Sequence, residues 1–147
     1  MTVPHLTPAV EASSPAAAFA ALRAQGLRLS TARRLLLKAL FDADRPMSAD
    51  ELAGEGDVAS AYRNLEVLED VGLVRHVHLG HGPGLYHPAG LEREFVVCEA
   101  CGAVRAVAPA ELDDVRAAVH AAVGYRARFT HFPLAGVCPA CASQDGG

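Results

Sequence analysis

The stretch Val97-Cys98-Glu99-Ala100-Cys101-Gly102, matched further on by Cys138-Pro139-Ala140-Cys141, decides how the second half of the chain folds. The two C-x-x-C knuckles hold all 4 cysteines of the 147-residue chain. One knuckle presents two sulfurs to an ion, and two knuckles complete a tetrahedral shell of thiolates. Soft thiolates select zinc or iron–sulfur over hard cations. The spacing therefore predicts a closed, structural zinc site formed by Cys98, Cys101, Cys138 and Cys141.

Disulfide bonds are the other interpretation of these cysteines, and they need an oxidising compartment. The start of the chain, residues 1–8, lacks the basic region and apolar core of a secretory signal peptide. No apolar run reaches the roughly 18 residues that a transmembrane helix needs. We therefore expect a cytoplasmic protein with no membrane partner and with cysteines that bind a metal.

Charge is distributed unevenly along the chain. The net charge of −4 argues weakly against a nucleic-acid partner. The segment from Ala12 to Phe41, however, contains no acidic residue. Its basic residues are Arg23, Arg28, Arg33, Arg34 and Lys38. Such local clustering is typical of a phosphate-binding surface, although a solvated helix face would have the same composition.

The first half of the chain reads as helices followed by a hairpin. Helices are predicted at 16–25, 31–41, 49–53 and 58–71, and strands at 73–79 and 85–87. Ser30 and Asp57 are suited to cap two of these helices, and Ser48-x-x-Glu51 has the form of a capping box. This order predicts a winged helix-turn-helix domain, in which helix 58–71 enters the major groove and the hairpin is the wing.

The second half reads as strand, strand, helix, strand, at 95–98, 103–107, 109–123 and 125–132. An apolar stripe is predicted on its helix, formed by Leu112, Val115, Val119 and Val123. We expect an α+β protein with the following organisation: a disordered tail at 1–15, a winged-helix domain at 16–88, a hinge at 89–93, a zinc-binding domain at 94–142 and a tail at 143–147.

Several motifs, in this order, resemble the ferric uptake regulator family of bacterial metal-dependent repressors. Gly26-Leu-Arg-Leu-Ser-Thr-Ala-Arg33 is similar to the family's first helix junction. Ala59-Ser-Ala-Tyr-Arg-Asn-Leu65, followed by Leu68 and Gly72-Leu-Val74, is similar to its recognition helix. The two cysteine knuckles resemble its zinc knuckles. The resemblance covers about residues 18 to 142.

The resemblance implies an N-terminal winged-helix domain, a small C-terminal α/β dimerisation domain and a homodimer that binds a double-stranded DNA operator. The residues that would contact DNA are Arg28, Arg33, Ser60, Tyr62, Arg63 and Asn64. A guanidinium suits phosphates and guanine edges, which agrees with this assignment. Core packing of Tyr62 against Leu65 is the alternative role for that tyrosine.

The resemblance also implies a second, sensory metal that acts as co-repressor, and this is where the chain departs from the family. Arg93, Phe95 and Pro46 stand where family members commonly have histidines, and the segment between Leu52 and Ser60 is short. The remaining candidate ligands are His87, Glu92, Glu94, Asp113 and His131, with alternates His76, His78 and His81. Such carboxylate and imidazole ligands suit Zn, Fe or Mn.

The sequence therefore predicts a metal-responsive repressor of metal homeostasis genes, for zinc, iron or manganese uptake, that binds palindromic operators as a dimer. A peroxide-sensing repressor of the same fold is an alternative. A thiol redox enzyme that uses the knuckles, or a zinc-ribbon adaptor, is an alternative of another class. No nucleophile–base pairing or phosphate loop indicates an enzyme.

Overall fold

The computed structural model describes residues 8–43, 45–80, 82–91 and 93–145. The chain divides into two compact units, Met1–His76 with Pro83–Leu91, and Val77–Gly82 with Glu92–Gly147. The division after Leu91 falls within the predicted hinge. The tip of the predicted wing, however, belongs to the second unit, because the backbone N–H of His78 donates to the carbonyl of His131 at 3.0 Å.

The described residues of the first unit form four helices that begin at the predicted caps. They are α1 (Pro15–Ala24), α2 (Thr31–Asp42), α3 (Ala49–Ala53) and α4 (Val58–Asp70). The Ser30 side chain accepts from the backbone N–H of Arg33 at 3.2 Å. The capping box of Ser48 and Glu51 is complete. Asp57 caps α4. These caps satisfy N–H groups that lack a partner in the first helical turn, which is why short polar signals predicted the helix starts.

The core of the first unit is built from leucines on three helices. Leu22 on α1, Leu37 and Leu40 on α2, and Leu65 and Leu68 on α4 are each 0% exposed. Their three- and four-residue spacing places them on one face of each helix. Burial of one such side chain contributes about 1.5–3 kcal/mol. The apolar stripes therefore determine which faces of α2 and α4 remain outside.

A small sheet completes this domain. It is formed by β1 (Met47–Ser48), β2 (Val74–Val77) and β3 (Leu85–Pro88), in the order β1-β3-β2. β1 pairs antiparallel with β3, with Met47 opposite Tyr86. Helices followed by a hairpin form a winged helix-turn-helix, so that prediction is confirmed. The hairpin strands are 74–77 and 85–88, where the sequence predicted 73–79 and 85–87.

The predicted disorder of residues 1–15 is wrong for its described part, which begins at Pro8. The backbone N–H of Val10 donates to the carbonyl of Gly72 at 2.9 Å, and Ala12 is 3% exposed. Glycine is required at two contacts of this segment. A Cβ at Gly72 would collide with the carbonyl oxygen of Pro8, and one at Gly90 with that of Ala12. The small residues that made the segment look disordered allow this close packing.

The described residues of the second unit form a three-stranded sheet and two α-helices. Its strands are β4 (Glu94–Cys98), β5 (Val104–Val107) and β6 (Leu134–Gly136), in the order β5-β4-β6. A 3-10 turn, Pro109–Leu112, leads into α5 (Asp113–Val123), and α6 (Pro139–Asp145) follows the sheet. Among the residues that the structure describes, no helix is long and apolar enough to cross a membrane.

The third strand predicted at 125–132 is wrong. The strand lies later, at β6, and runs parallel to β4, with Val96 opposite Leu134. A strand needs a neighbouring backbone with which to pair, and residues 125–132 are not among the strands of this sheet, whose order is β5-β4-β6. Tyr125 and Phe132 are 74% and 64% exposed, so the alternation around them does not produce a buried face in this chain.

Two further predictions concern the helix and the tail of this unit. Of the predicted apolar stripe, Leu112 is buried in the 3-10 turn, whereas no residue of α5 is buried and Val123 is 62% exposed. The α5 part of the stripe is therefore largely open in the described part of the unit. The tail predicted at 143–147 is helical as far as Asp145, because α6 continues beyond the second knuckle. Residues 146–147 lie outside the described residues.

Candidate metal centre and nucleic-acid interface

Parallel pairing of β4 and β6 brings the two cysteine knuckles together. Cys98 ends β4 and stands opposite Gly136, the last residue of β6. The first knuckle turns back at Gly102, which has φ +77°, and the second runs into α6. The backbone N–H of Glu99 donates to the carbonyl of Gly136 at 2.8 Å. The sheet thus places two turns that are far apart in sequence at one corner.

The four cysteine sulfurs converge at this corner, as the sequence predicts. Their ligand atoms all lie within 4.8 Å of one another. The sulfurs of Cys101 and Cys138 are 3.9 Å apart. Two sulfurs bound to one tetrahedral zinc at about 2.3 Å would be about 3.8 Å apart. A disulfide would need about 2.05 Å, and all four cysteines are free thiols. The donor set therefore fits a zinc ion.

Backbone N–H donors stabilise the thiolate form of one cysteine of the centre. The Sγ of Cys98 accepts from the backbone N–H groups of Cys101 at 3.4 Å and Cys138 at 3.3 Å. These hydrogen bonds lower the pKa of Cys98 to about 6. The pKa of Cys141 is raised to about 12, because it shares hydrogen bonds with the sulfurs of Cys138 and Cys101. A bound cation would favour ionisation of all four, since a metal-bound thiol is deprotonated.

Two of the predicted sensory ligands are bound to an arginine. Arg116 on α5 donates to Oε1 of Glu94, and its Nη2 donates to Oδ1 of Asp113 at 2.8 Å and to the carbonyl of Pro109. The other Glu94 oxygen accepts from the backbone N–H of Phe129 at 3.0 Å. Glu94 is 2% exposed. We call Glu94, Asp113 and Arg116 the Arg116 cluster. In it a guanidinium neutralises the carboxylates.

The remaining members of the predicted sensory set are placed separately. His87 lies in the first unit, is 4% exposed, and has its Nδ1 3.2 Å from the carbonyl of Pro88. Glu92 and the alternate His81 lie outside the described residues. The described members of the predicted set do not converge as one group of metal-binding side chains.

His131 instead pairs with His78, which the sequence assigned only as an alternate. Their rings meet edge to face with centroids 5.1 Å apart, and Phe132 stacks on His78 at 5.8 Å. In the first unit, the Nδ1 of His76 lies 2.5 and 2.7 Å from the two carboxylate oxygens of Glu69. Glu69 is 4% exposed. Sequence spacing could not reveal these contacts, and the same applies to Arg116 with Glu94.

The candidate DNA-binding residues lie along α2 and α4. Arg33 joins the two helices, since its Nε donates to Oδ1 of Asn64 at 3.1 Å and its Nη1 to the carbonyl of Arg28 at 2.8 Å. Asn64 in turn donates to the carbonyl of Ser60 at 3.1 Å. This network holds the start of α4 against the start of α2.

Tyr62 and Arg63 lie on the outer face of α4. Tyr62 is 42% exposed, which is incompatible with the alternative role of a core residue packed on Leu65. The side chain of Arg63 is 71% exposed and its Nη2 is 3.8 Å from a carboxylate oxygen of Asp57. An exposed pair at that distance contributes about 1 kcal/mol or less, so it does not prevent Arg63 from meeting another anion.

Comparison with known proteins agrees with this architecture. The model of the ferric uptake regulator family matches residues 24–132. A peroxide-responsive repressor of Staphylococcus saprophyticus is 27% identical over 127 residues, which cover 82% of this chain and 86% of the relative. The peroxide operon regulator of Bacillus subtilis is 25% identical over 131 residues, covering 84% and 90%.

Solved structures share the fold at low identity. The ferric uptake regulator of Helicobacter pylori has a TM-score of 0.68 at 17% identity, covering 88% of this chain and 94% of that protein. A zinc uptake regulator complexed with zinc and DNA has a TM-score of 0.57 at 21% identity, covering 100% of both. With the family match over most of its length, the chain belongs to the ferric uptake regulator family of transcription regulators.

Proposed function

We propose that this chain is a homodimeric, metal-responsive transcriptional repressor that binds palindromic operators in double-stranded DNA. The observation that carries the proposal is the outer face of α4, where Tyr62 and Arg63 are exposed while Leu65 is fully buried on the other side. The second helix of a helix-turn-helix presents such a face to the major groove. The regulated genes would serve zinc, iron or manganese homeostasis.

Arg33 supports this proposal as a residue that positions α4 and also meets the DNA backbone. A guanidinium has five N–H donors. Two of them are engaged with Asn64 and the carbonyl of Arg28. The others would donate to a phosphate oxygen, with Arg28 and Ser60 beside them. Phosphate contacts fix the register of the protein on the duplex, and Arg63 would read base edges.

The four-cysteine centre would hold a structural zinc ion in this protein. It has four protein ligands and therefore no open coordination position for substrate or effector. The ion would join the end of β4 to the start of α6 and so stabilise the second unit. Convergence of both knuckles on one corner supports this role over a thiol redox enzyme, which would use one C-x-x-C pair alone.

A second copy of the chain would cover the apolar surface that the second unit leaves open. Val115, Val123 and Tyr125 are 37%, 62% and 74% exposed. Among the described residues, β5 is an outer strand of its sheet, with one side not paired to another strand. Exposed apolar side chains and an open strand edge within one unit suit a dimer interface. Twofold symmetry of that dimer would match a palindromic operator.

The co-repressor metal would act by favouring the DNA-binding arrangement of the dimer. A metal that bound both arrangements equally would shift nothing, so its ligands must be better placed in one of them. Repression would then follow the metal concentration in the cytoplasm. Zinc, iron and manganese each suit the co-repressor role, because imidazole and carboxylate ligands accept all three.

A gel shift on DNA from the protein's own promoter tests the proposal. We expect binding to require a divalent metal and to be lost on mild chelation that leaves one zinc per monomer. Arg63→Ala should weaken binding by about 1–3 kcal/mol, because it removes a base contact. The control Arg45→Ala changes an exposed arginine that pairs with Glu51, away from α4 and from the proposed dimer surface, and should have no effect.

Two results would contradict different parts of the proposal. Binding that ignores every divalent metal while the structural zinc is retained would remove the sensing role and leave a constitutive repressor. Equal affinity of the wild type and Arg63→Ala for all sequences, at several salt concentrations, would remove α4 as the reading helix.

Peroxide sensing is a second candidate, because the two relatives above are named peroxide regulators. His87 or His131, as a ligand of sensory iron, would then gain one oxygen atom from hydrogen peroxide on its imidazole ring, and the peroxide would leave as water. Mass spectrometry of the iron-loaded protein after peroxide treatment should show a peptide that contains His87 or His131 and is heavier by roughly 16 Da, the mass of one oxygen atom. Absence of that product, with repression unchanged by peroxide, would leave metal sensing alone.

A further inference from the structure

Arg116 joins three elements of the second unit through one guanidinium. Its Nη1 donates to Oε1 of Glu94, the first residue of β4. Its Nη2 donates to Oδ1 of Asp113, the first residue of α5, at 2.8 Å, and to the carbonyl of Pro109 in the 3-10 turn. The other oxygen of Glu94 accepts from the backbone N–H of Phe129 at 3.0 Å. One side chain of α5 thus ties its own helix to the preceding turn and to the sheet.

Burial makes a positive charge necessary at Glu94. Its side chain is 3% exposed, and a buried carboxylate that loses its cationic partner strongly destabilises a folded protein. The guanidinium of Arg116 supplies that charge. Its hydrogen bonds to Asp113 and Glu94 raise the pKa of Arg116 above its ordinary value, so that the group stays charged at any physiological pH. The supply of this cation therefore depends on no dissolved ion.

The three oxygen atoms around the guanidinium are of the types that hard divalent cations prefer. Two belong to carboxylates and one to a backbone carbonyl, and Mg²⁺, Ca²⁺ and Mn²⁺ bind such atoms together with water. All three accept from the terminal nitrogens of the same planar group, and two of them share the single nitrogen Nη2. The oxygens therefore converge on one small volume.

Charge decides which cation this volume can hold. The carboxylates of Glu94 and Asp113 carry two negative charges, and the guanidinium compensates one of them. A divalent ion added beside the guanidinium would reverse the sign of the group and would repel Arg116 at short range. A divalent ion in place of the guanidinium would neutralise the group. The arginine and a divalent metal are therefore alternatives at this position, and the arginine is covalently part of the chain.

We propose that the guanidinium of Arg116 is the resident cation of a latent metal site: it occupies the place that a divalent ion would take among the three oxygen atoms. Arg116 is a positioning residue in this role, because it fixes the start of β4 against the 3-10 turn and the first turn of α5. The second unit keeps this corner closed without a second metal. One consequence rests on the proposed function: the co-repressor metal uses ligands outside the Arg116 cluster.

An ordinary ion pair is the simpler interpretation, and Arg105 with Glu111 is an example of one. Their charged atoms are 3.7 Å apart, and the two side chains are 77% and 51% exposed. Water satisfies such a carboxylate when its arginine is removed, so the pair contributes little. Glu94 has little access to water, so removal of Arg116 creates a need for another cation. The two arginines therefore make opposite predictions in a metal-binding experiment.

Manganese binding to the full-length protein that retains its structural zinc tests the proposal. Mn²⁺ suits oxygen ligands, and electron paramagnetic resonance counts the bound ions. We expect Arg116→Ala to bind one Mn²⁺ per monomer more than the wild type and to gain thermal stability as the ion is added. The double variant Arg116→Ala/Glu94→Gln should lose the additional ion. Circular dichroism measures the fold of each variant.

Two matched controls separate the loss of charge from the loss of an arginine as such. Arg116→Lys keeps a positive charge among the oxygens and should bind no more Mn²⁺ than the wild type. Arg105→Ala removes an arginine from an exposed carboxylate of the same unit and should likewise bind no additional ion. An additional ion in Arg116→Ala alone is a result that a purely structural ion pair would not produce.

Three results would overturn the proposal. The first is an equal Mn²⁺ count for the wild type and Arg116→Ala. The second is Arg116→Ala protein that stays unfolded at saturating Mn²⁺, because the oxygens then do not accept a metal in place of the guanidinium. The third is a wild type that loses a bound Mn²⁺ when Glu94→Gln is introduced, since the metal would then bind beside the arginine.

The proposed function fails or survives independently of these results. If Arg116→Ala gains the ion while DNA binding by the wild type ignores every divalent metal, the latent site is supported and the metal-responsive function is contradicted. If the Mn²⁺ counts are equal while the gel shift requires a metal, the proposed function is supported and the role of Arg116 as resident cation is wrong.

Discussion

The four-cysteine centre and the Arg116 cluster both gather anionic groups in the second unit, but they obtain their compensating cation differently. The cysteine sulfurs come within 4.8 Å of one another, and a bound metal ion would be their compensating cation. Glu94 and Asp113 share the guanidinium of Arg116. Buried or crowded anions need a cation because desolvation otherwise disfavours their charge. We therefore expect the cysteine sulfurs to bind a metal ion, and the Arg116 cluster, which contains its own guanidinium, to bind none.

The largest expected effect comes from removing a ligand of the cysteine centre. Cys98→Ser should abolish binding of the structural zinc and destabilise the second unit, because structural zinc in finger peptides binds with about 10–16 kcal/mol of free energy that is coupled to folding. Elemental analysis and thermal unfolding measure both effects. Ser143→Ala, a change on exposed α6, is the control. A stable, dimeric Cys98→Ser protein would mean that the sheet alone holds the corner.

An intermediate effect is expected when the Arg116 cluster loses its cation. Arg116→Met would leave Glu94, whose side chain is 3% exposed, buried beside no positive charge. We expect the thermal midpoint to fall by about 10 °C or more. Arg105→Met is the control, since its pair with Glu111 is 3.7 Å long and exposed. Similar midpoints for the two variants would show that Glu94 is adequately satisfied by the Phe129 N–H.

Removal of the exposed carboxylate should have the smallest effect. The Asp113 side chain is 70% exposed. Asp113→Asn should therefore change the free energy of unfolding by about 1 kcal/mol or less and leave the number of bound metal ions unchanged. Urea denaturation and elemental analysis measure these quantities. Loss of a metal ion in this variant would make the Arg116 cluster a metal site after all and remove the contrast with the cysteine centre.

Local signals in the sequence predicted those features whose partners lie close together in the chain. Ser30, Ser48 and Asp57 marked three helix starts because a cap acts within three residues. Each knuckle predicted half of the four-cysteine centre for the same reason. Residues 125–132 and the α5 stripe were less predictable, because an alternating or periodic apolar pattern does not specify which surface covers it.

The sequence by itself determined the helices with their caps, the buried leucine stripes, the cysteine pairs and the resemblance to the family. Tertiary structure alone decided which charged and aromatic groups meet. It bound Glu94 to Arg116, placed His131 beside His78, joined Arg33 to Asn64 and ordered the segment after Pro8. Caps and stripes depend on backbone periodicity over a few residues. Pairings across about 20 to 60 residues, the spans of these contacts, depend on how the chain closes its loops.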